Sequence, residues 1–317
     1  MERRDNAVVE IYLGEENRLV RTALLSALQD IKLAVREDFM ECGPLSDAVR
    51  AGNADMVIID AELPGGDARG LITAIRHDEI GPNPFVSVIA TTWKNDPERI
   101  RALIDSGVDG LLVKPLSIGA VRRQLDAIIH RRRPFVVTSS YIGPDRRKDS
   151  RRQGNAPLIE VPNTLLAKIN GTPIEPARLK RDIADTWENV LNERLRRNAF
   201  ELSFMVKLIA AEEGANPPRL GRYLGRVQAV VQDTIDRIGG TLHAHNIEFC
   251  RSLLRVADTI AADRPDHSRR DIALLKPLSD AILLSFNPER SAEDMAREIS
   301  GAIAGYVARQ NRMVENS

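Results

Sequence analysis

Between residues 7 and 132, short apolar runs alternate with longer amphipathic stretches. The runs are rich in Val, Ile and Leu and too short for helices, whereas the stretches carry apolar residues at helical spacing. The predicted strands are 8–13, 33–39, 55–60, 85–91 and 110–113, and the predicted helices are 17–29, 44–51, 68–76, 96–106 and 117–130. Regular alternation of this kind favours a parallel sheet with helices on both faces. We therefore expect an α/β domain with a five-stranded, doubly wound parallel sheet.

Polar side chains stand at the ends of four of these predicted strands. Glu15 and Glu16 follow the first strand, Asp60 ends the third, Thr92 follows the fourth and Lys114 follows the fifth. In open parallel sheets, ligands bind beyond the carboxyl ends of the strands. Carboxylates, a hydroxyl and an ammonium group are thus predicted to converge at one edge of the sheet. This convergence suggests that Asp60 is a phosphorylatable carboxylate.

Residues 7–132 resemble the CheY-like receiver domain of bacterial two-component response regulators, which has a flavodoxin-like fold. Four motifs in register carry the resemblance, namely the acidic pair Glu15–Glu16, the loop 60–67, Thr92 ahead of residues 107–109, and Lys114–Pro115. The resemblance implies that Asp60 accepts a phosphoryl group from a histidine kinase or a phosphotransfer protein. It also implies that Thr92 and Lys114 contact the phosphoryl oxygens.

A Mg²⁺ cofactor follows from the same resemblance. Its implied ligands are Glu16, Asp60 and the main-chain carbonyl of Glu62, with Glu15 acting through water. A hard divalent cation held by oxygen atoms offsets the negative charge of both reacting groups. Pro64 and Pro115 are implied to shape the surrounding loops, and the peptide bond before Pro115 is expected to be cis.

Several residues depart from the family pattern and are predicted to modulate the site. Glutamates replace the usual aspartates of the acidic pair, Trp93 replaces a small residue after Thr92, and Leu111 stands where the family commonly has Tyr or Phe. Trp93 and Glu62 are expected to gate the pocket, so phosphodonor entry or hydrolysis would be slow. Leu111 removes the usual aromatic readout. A phosphorylation-independent pseudo-receiver scaffold is the alternative reading of the same residues.

The segment after the predicted α/β domain is strongly basic. Residues 1–130 hold 15 basic and 21 acidic side chains, whereas residues 131–152 hold 8 basic and 2 acidic ones. Proline, glycine and dense charge predict a boundary here, with a receiver at 1–132 and a linker at 133–165. Most of its arginines are expected to be solvated, but Tyr141 and nearby apolar residues could dock on the receiver while arginines meet its acids. The predicted linker contacts are Arg146, Arg147, Arg151 and Arg152.

Residues 166–317 are predicted to form an all-α domain. Helical periodicity covers 176–211, with a break near Arg197, and then 218–238, 246–262, 269–286 and 292–309. This domain is expected to act by binding a protein target of unknown identity, and exposed apolar stripes would provide a partner or homodimer surface. A regulator that binds nucleic acid through the basic linker is a further, weaker alternative. His243 and His245 are expected to be structural.

Composition excludes several other classes of protein. No stretch approaches the roughly 20 apolar residues of a membrane span, and the charged start lacks the apolar core of a secretion signal, so a cytoplasmic location is expected. Cys42 and Cys250 lie far apart without metal-ligand spacing, which favours reduced thiols. We expect no enzymatic activity beyond self-dephosphorylation of the receiver.

Overall fold

The structure is a computed structural model that describes residues 9–93, 96–147, 157–211, 217–239, 241, 243–262 and 269–315. The chain divides into two compact units, which are considered separately. Unit 1 is Met1–Val190 and unit 2 is Leu191–Ser317. No helix within the described ranges is long and apolar enough to cross a membrane.

Unit 1 contains the predicted five-stranded sheet. The strands are β1 (Ile11–Gly14), β2 (Glu37–Phe39), β3 (Met56–Asp60), β4 (Ser87–Thr92) and β5 (Gly110–Val113). They are all parallel, in the order β2-β1-β3-β4-β5. The helices between them are α1 (Arg18–Asp30), α2 (Cys42–Ala51), α3 (Ala68–Arg76), α4 (Pro97–Asp105) and α5 (Ile118–His130). The prediction of a doubly wound α/β fold is confirmed.

Helices cover both faces of this sheet, which explains why its central strands are apolar throughout. All five residues of β3 are buried. Ile58 faces a core formed with α1 and α5, whereas its neighbours Val57 and Ile59 face a second core formed with α2, α3 and α4. Side chains of a strand alternate between faces, so a strand covered on both sides has no polar face.

The described parts of the segment predicted as a linker, 133–147 and 157–165, pack against the rest of unit 1. Strands β6 (Phe135–Val137) and β7 (Ile142–Pro144) form an antiparallel hairpin, and helix α6 (Thr164–Ile169) follows. Phe135, Val137 and Ile142 are buried in a core shared with Phe85 at the amino end of β4. The receiver boundary at residue 132 stays a prediction, but the compact unit continues beyond it to Val190. The apolar side chains of the hairpin have too few partners of their own and bury against the receiver instead.

Helix α7 (Pro176–Ala211) begins in unit 1 and ends in unit 2. Its first part contributes Ile183, Trp187 and Val190 to the core around Phe135. The predicted break near Arg197 does not occur, because α7 is continuous through this position.

Unit 2 is helical throughout its described part, as predicted. It comprises the rest of α7 with α8 (Pro217–Ile238), a short 3-10 helix (Ala244–Asn246), α9 (Ile247–Ala262), α10 (Arg269–Phe286) and α11 (Ala292–Glu315). Leucine, isoleucine and valine side chains from all five α-helices form one core. One polar group is set into it, where Asn198 donates hydrogen bonds to Asp233 and Thr234. His243 packs against Phe286, with ring centroids 4.9 Å apart.

Candidate functional site

The carboxyl edge of the sheet brings four of the predicted site residues together. Glu15 follows β1, Asp60 ends β3, Thr92 ends β4 and Lys114 follows β5, and all four are buried. The backbone N–H of Lys114 donates to the Thr92 carbonyl at 2.7 Å, which extends the β4–β5 pairing to the pocket. Parallel strands in register therefore place these side chains at the same edge.

Lys114 lies between two carboxylates. Its Nζ is 2.7 Å from Oε2 of Glu15 and 2.8 Å from Oδ2 of Asp60. Burial raises the pKa of the Glu15 carboxyl, although hydrogen bonding to Lys114 and to the backbone N–H of Asn17 acts to lower it. One ammonium group thus serves two buried acids, and the pocket keeps an excess of negative charge.

The Thr92 hydroxyl, which was predicted to contact the phosphoryl group, is hydrogen-bonded to a third carboxylate. The Thr92 hydroxyl donates to Oε1 of Glu62 at 3.1 Å. The backbone N–H of Glu62 approaches Oδ1 of Asp60 at 3.3 Å. Glu62 therefore contacts Asp60 through its backbone and Thr92 through its carboxylate, and its role as a gate stays a prediction.

Trp93 lies beside the ammonium group of the pocket. Its side chain is 49% exposed, and Nζ of Lys114 is 5.4 Å from the centroid of its ring. A cation at this distance is attracted to the face of an indole. Leu111 packs in the core on the α2, α3 and α4 face of the sheet.

The two prolines of the site shape the loops around it. The Pro64 carbonyl accepts a hydrogen bond of 2.7 Å from the backbone N–H of Cys42 at the start of α2. Gly65, which follows, has φ of +77°, a conformation that glycine adopts without strain. The Lys114–Pro115 peptide bond is cis, as expected.

The acidic residues fit a hard cation in chemical type. Glu15 and Asp60 place two carboxylates on one ammonium group, with the Glu62 carboxylate on the neighbouring Thr92 hydroxyl, and oxygen donors with excess negative charge suit Mg²⁺. Glu16, the implied direct ligand, is exposed, whereas Glu15 is buried. Within the described residues, no group of three or more His, Cys, Asp or Glu side chains is arranged to hold a metal ion. The Mg²⁺ ligands therefore stay a prediction.

A second charged cluster, which the sequence did not reveal, lies at the amino edge of the sheet. Arg76, at the end of α3, is only 1% exposed. Its guanidinium donates to the carbonyls of Pro84, Val86 and Gly107 at 2.7, 2.8 and 2.8 Å, and to Oδ2 of Asp109 at 2.7 Å. Burial lowers the pKa of Arg76 to about 10, although Asp109 acts in the opposite direction.

Asp109 is shared with a second arginine. Nε of Arg132 donates to Oδ1 of Asp109 at 2.9 Å, and the backbone N–H of Val88 donates to Oδ2 at 2.8 Å. The ring of Phe135 lies 5.2 Å from the guanidinium carbon of Arg76 and 5.5 Å from that of Arg132. The amino edge is thus joined to the hairpin by charge and by an aromatic ring.

The predicted linker contacts have different outcomes. Arg146 donates to the Val108 carbonyl, so it meets the receiver through its backbone. Arg147 forms an ion pair of 2.8 Å with Asp145 of its own segment. Arg151 and Arg152 lie outside the described residues. In its described part, the segment is docked on unit 1, which agrees better with the docking alternative than with a solvated linker.

Comparison with known proteins identifies the first part of the chain. The sequence model of the response regulator receiver domain matches residues 11–126. These residues form a receiver domain. The match ends before the hairpin, so the resemblance inferred from the motifs is confirmed for the sheet and its five helices.

Curated relatives match over the receiver domain. The chemotaxis protein CheY-3 of Vibrio cholerae is 24% identical over 126 residues, which is 40% of this chain and 95% of that protein. The sensor histidine kinase AruS of Pseudomonas aeruginosa is 29% identical over 125 residues, or 38% of this chain. The chain spans only 12% of the length of AruS.

Solved structures match over the same part of the chain. CheY4 of Vibrio cholerae has 19% sequence identity and a TM-score of 0.34, covering 38% of this chain and 99% of that one. A DNA-binding response regulator of the LuxR family from Staphylococcus aureus has 18% identity and a TM-score of 0.35, covering 38% and 98%.

Proposed function

We propose that the receiver domain accepts a phosphoryl group on Asp60 from a histidine kinase or a phosphotransfer protein. In this proposal the helical unit 2 carries the output through contacts with another protein. The observation that supports it most directly is the contact of 2.8 Å between Nζ of Lys114 and Oδ2 of Asp60, beside the Thr92 hydroxyl. The family of the receiver domain and its kinase relatives support it independently.

The proposed transfer is a single displacement at phosphorus. A carboxylate oxygen of Asp60 forms the new P–O bond as the P–N bond to the donor histidine breaks, and the departing imidazole nitrogen takes a proton from water. Lys114 would keep its ammonium group on the Asp60 side and pair with a phosphoryl oxygen. A bound Mg²⁺, held by Glu16, Asp60 and the Glu62 carbonyl with Glu15 acting through water, would offset the charge of both reactants.

We infer that the reaction is slow. The Thr92 hydroxyl has to exchange its bond to Glu62 for one to a phosphoryl oxygen, and the Glu62 carboxylate repels an incoming phosphate. Trp93 covers the ammonium group that the phosphate has to reach. The second reaction that we propose for this chain is hydrolysis of the aspartyl phosphate, which the same residues would slow.

Phosphate incorporation tests the proposal. Acetyl phosphate with Mg²⁺ should add one phosphoryl group to the wild-type chain by intact mass, and none to Asp60→Asn. In a Trp187→Phe background, beryllofluoride with Mg²⁺ should change the fluorescence of Trp93 unless Asp60 is replaced. The proposal fails if neither reagent modifies or binds wild type, or if Asp60→Asn responds equally.

A phosphorylation-independent scaffold is the second candidate, because two carboxylates already share the one lysine and the Glu62 carboxylate already accepts a hydrogen bond from Thr92. Under this alternative, Asp60→Asn leaves partner capture and cellular output unchanged, whereas substitutions on the surface of α4 abolish them. Comparing both variants in one pull-down separates the two functions. The described part of the basic segment gives the nucleic-acid alternative no such support, since Arg132 and Arg146 are engaged within unit 1.

A further inference from the structure

A close backbone contact links the receiver domain to the hairpin. The turn between α4 and β5, residues 106–109, lies against residues 141–147, which contain β7 and are here called the clamp segment. A Cβ added at Gly143 would lie 2.8 Å from Cα of Gly107, and one added at Gly107 would lie 2.5 Å from the carbonyl oxygen of Ile142. Two main chains therefore touch with no side chain between them.

We propose that the clamp segment is a phosphorylation-controlled contact, docked when Asp60 is unmodified and released when it carries a phosphoryl group. This proposal rests on the proposed function of Asp60. It assigns the readout of this receiver domain to an element outside the residues that match the family.

The two sites are connected by the same pair of strands. Strand β4 ends at Thr92 in the pocket, and β5 ends next to Lys114. At their other ends, Asp109 donates its backbone N–H to the Val88 carbonyl at 2.8 Å, directly beside the α4–β5 turn. When Thr92 and Lys114 turn to a phosphoryl group, the ends of β4 and β5 and the helix α4 between them have to adjust.

The contact has little capacity to follow such an adjustment. Gly107 has φ of +95°, which other residues rarely adopt, and its main chain already touches the clamp segment. Packed interfaces respond to small displacements by switching between arrangements rather than by deforming continuously. A shift of the turn toward the clamp segment is blocked, and a shift away from it breaks the contact, so release is the expected response.

In the docked state, one buried hydrogen-bond donor of the clamp segment has no partner among the described residues. Arg146 donates to the Val108 carbonyl, but its Nε–H is buried and has no hydrogen-bond partner among the described residues. A buried donor without a partner costs free energy that hydration would recover. Arg146 thus differs from Arg76, whose donors reach four acceptors, and it makes the clamp segment the weaker of the two attachments.

The proposed release includes loss of the β6–β7 pairing but leaves β6 in place, because β6 is held from its other side. Phe135 exchanges two backbone hydrogen bonds with Ile159, of 2.8 and 2.9 Å. Its ring is also fixed between Arg76 and Arg132. Residues 135 and 159 therefore serve as an internal reference that should not respond.

Hydrogen exchange of the full-length chain tests the proposal. With Mg²⁺ and beryllofluoride, the amides of residues 142, 143 and 145–147 should exchange about tenfold faster in wild type and not in Asp60→Asn, a change typical of allosteric coupling. The amides of Phe135 and Ile159 should be unaffected. Binding of the mimic is followed in the same samples by tryptophan fluorescence.

The outcomes separate the two proposals. If the mimic binds through Asp60 but the amides of residues 142, 143 and 145–147 exchange at the same rate or more slowly, the clamp proposal is overturned and the phosphoacceptor proposal stands. If the mimic does not bind, the proposed function is overturned and the controlled release falls with it.

Substitutions in the clamp segment provide a reciprocal test. Because coupling between two sites is mutual, loosening the clamp segment with Arg146→Ala should raise the affinity for the mimic by the same factor, about tenfold. Gly143→Ala should act in the same direction and Arg146→Ala remains informative if that chain does not fold. Arg131→Ala, at an exposed arginine paired with Asp126, should change neither quantity. Unchanged affinity in a loosened Arg146→Ala chain would refute the coupling.

Discussion

The two edges of the sheet in unit 1 both bury charged side chains, but in opposite proportions. At the carboxyl edge, Lys114 is the cation that Glu15 and Asp60 share, and Glu62 adds a third acid nearby. At the amino edge, Asp109 is shared by Arg76 and Arg132. The carboxyl-edge cluster has fewer cations than carboxylates, whereas both carboxylate oxygens of Asp109 at the amino edge are paired.

This difference separates a reactive site from a structural joint. A cluster with surplus negative charge lowers its energy by gaining a cation or exchanging partners, which is what a phosphoacceptor requires. A saturated cluster gains nothing from a ligand and instead fixes the segments that it joins. Unit 2 contains another saturated cluster, in which Asp233 accepts hydrogen bonds from Arg194, Arg237 and Asn198.

The largest effect is expected from Arg76→Met. It leaves Asp109 partly unpaired and three buried carbonyls without their donor, so the free energy of unfolding should fall by about 3–5 kcal/mol. Urea denaturation of unit 1 measures it. Arg69→Met, at an exposed position of the same helix, should cost less than about 0.5 kcal/mol. A loss below about 1 kcal/mol for Arg76→Met would contradict the structural role of the amino edge.

Asp233→Asn should have the next largest effect. Burial alone would raise the pKa of Asp233, but hydrogen bonds from Arg237 and Arg194 lower it to about 2. Because the folded pKa lies below the unfolded value, the carboxylate stabilises unit 2 above pH 3.8. Asp233→Asn should remove roughly 2 kcal/mol at pH 7.

The pH dependence checks this assignment. The difference between wild type and Asp233→Asn should shrink as the pH falls from 3.8 towards 2, where the wild-type carboxyl becomes protonated in the folded state as well. Hydrogen exchange of α8 at several pH values reports on it. A difference that is independent of pH would mean that packing, not charge, accounts for the loss.

Glu15→Gln tests the opposite sign at the carboxyl edge. Burial raises the pKa of Glu15, so its folded state holds the proton more tightly than the unfolded state, and its contribution to stability is lost as the pH rises through the folded pKa. Removing the charge should therefore stabilise unit 1 at neutral pH by on the order of 1 kcal/mol, the usual scale of single substitutions.

The pH dependence of the stability difference provides the control for this prediction. Wild type and Glu15→Gln should converge in stability below the unfolded pKa of 4.5 and separate above it. Thermal melts across this range suffice. If Glu15→Gln is less stable than wild type at pH 7, the carboxyl edge is not short of positive charge.

Trp93→Ala should change stability least, because the ring is largely exposed. Its loss should leave the melting temperature within the error of the measurement while making phosphate incorporation from acetyl phosphate several-fold faster, since the ammonium group of Lys114 becomes accessible. Val113→Ala, at another exposed apolar position of the same edge, is the matched control. Equal rates of phosphate incorporation in wild type and Trp93→Ala would show that Trp93 does not restrict access to the pocket.

The carboxyl edge could be predicted from sequence because regular strands place their ends together. Asp60, Thr92 and Lys114 each follow a strand-like run, so their spacing along the chain carries their position in space. The contact between Glu62 and Thr92 could not be found in this way. It depends on the rotamer of a loop side chain, for which the sequence gives no pattern.

The amino edge escaped prediction for a different reason. Arg76 ends an amphipathic helix, where a solvated arginine is ordinary, and only the carbonyls of distant segments make its burial favourable. The basic linker was predicted only in part, since its charge density favoured solvated arginines although Tyr141 and the nearby apolar residues already indicated docking. In α7 a break was predicted near Arg197, but the helix is continuous there, and Arg194 and Asn198 donate hydrogen bonds to Asp233 in the next helix.

The burial of Phe135 against Phe85 determines where this protein can be truncated for biochemical work. A recombinant fragment that stops at residue 126 or 132, where the family similarity ends, would uncover Phe85 and leave Arg76 without its aromatic neighbour. Such a fragment would be prone to aggregate for reasons unrelated to signalling. Truncation at residue 190, which retains the hairpin and the first part of α7, should give the smallest well-behaved receiver sample for enzymology and NMR.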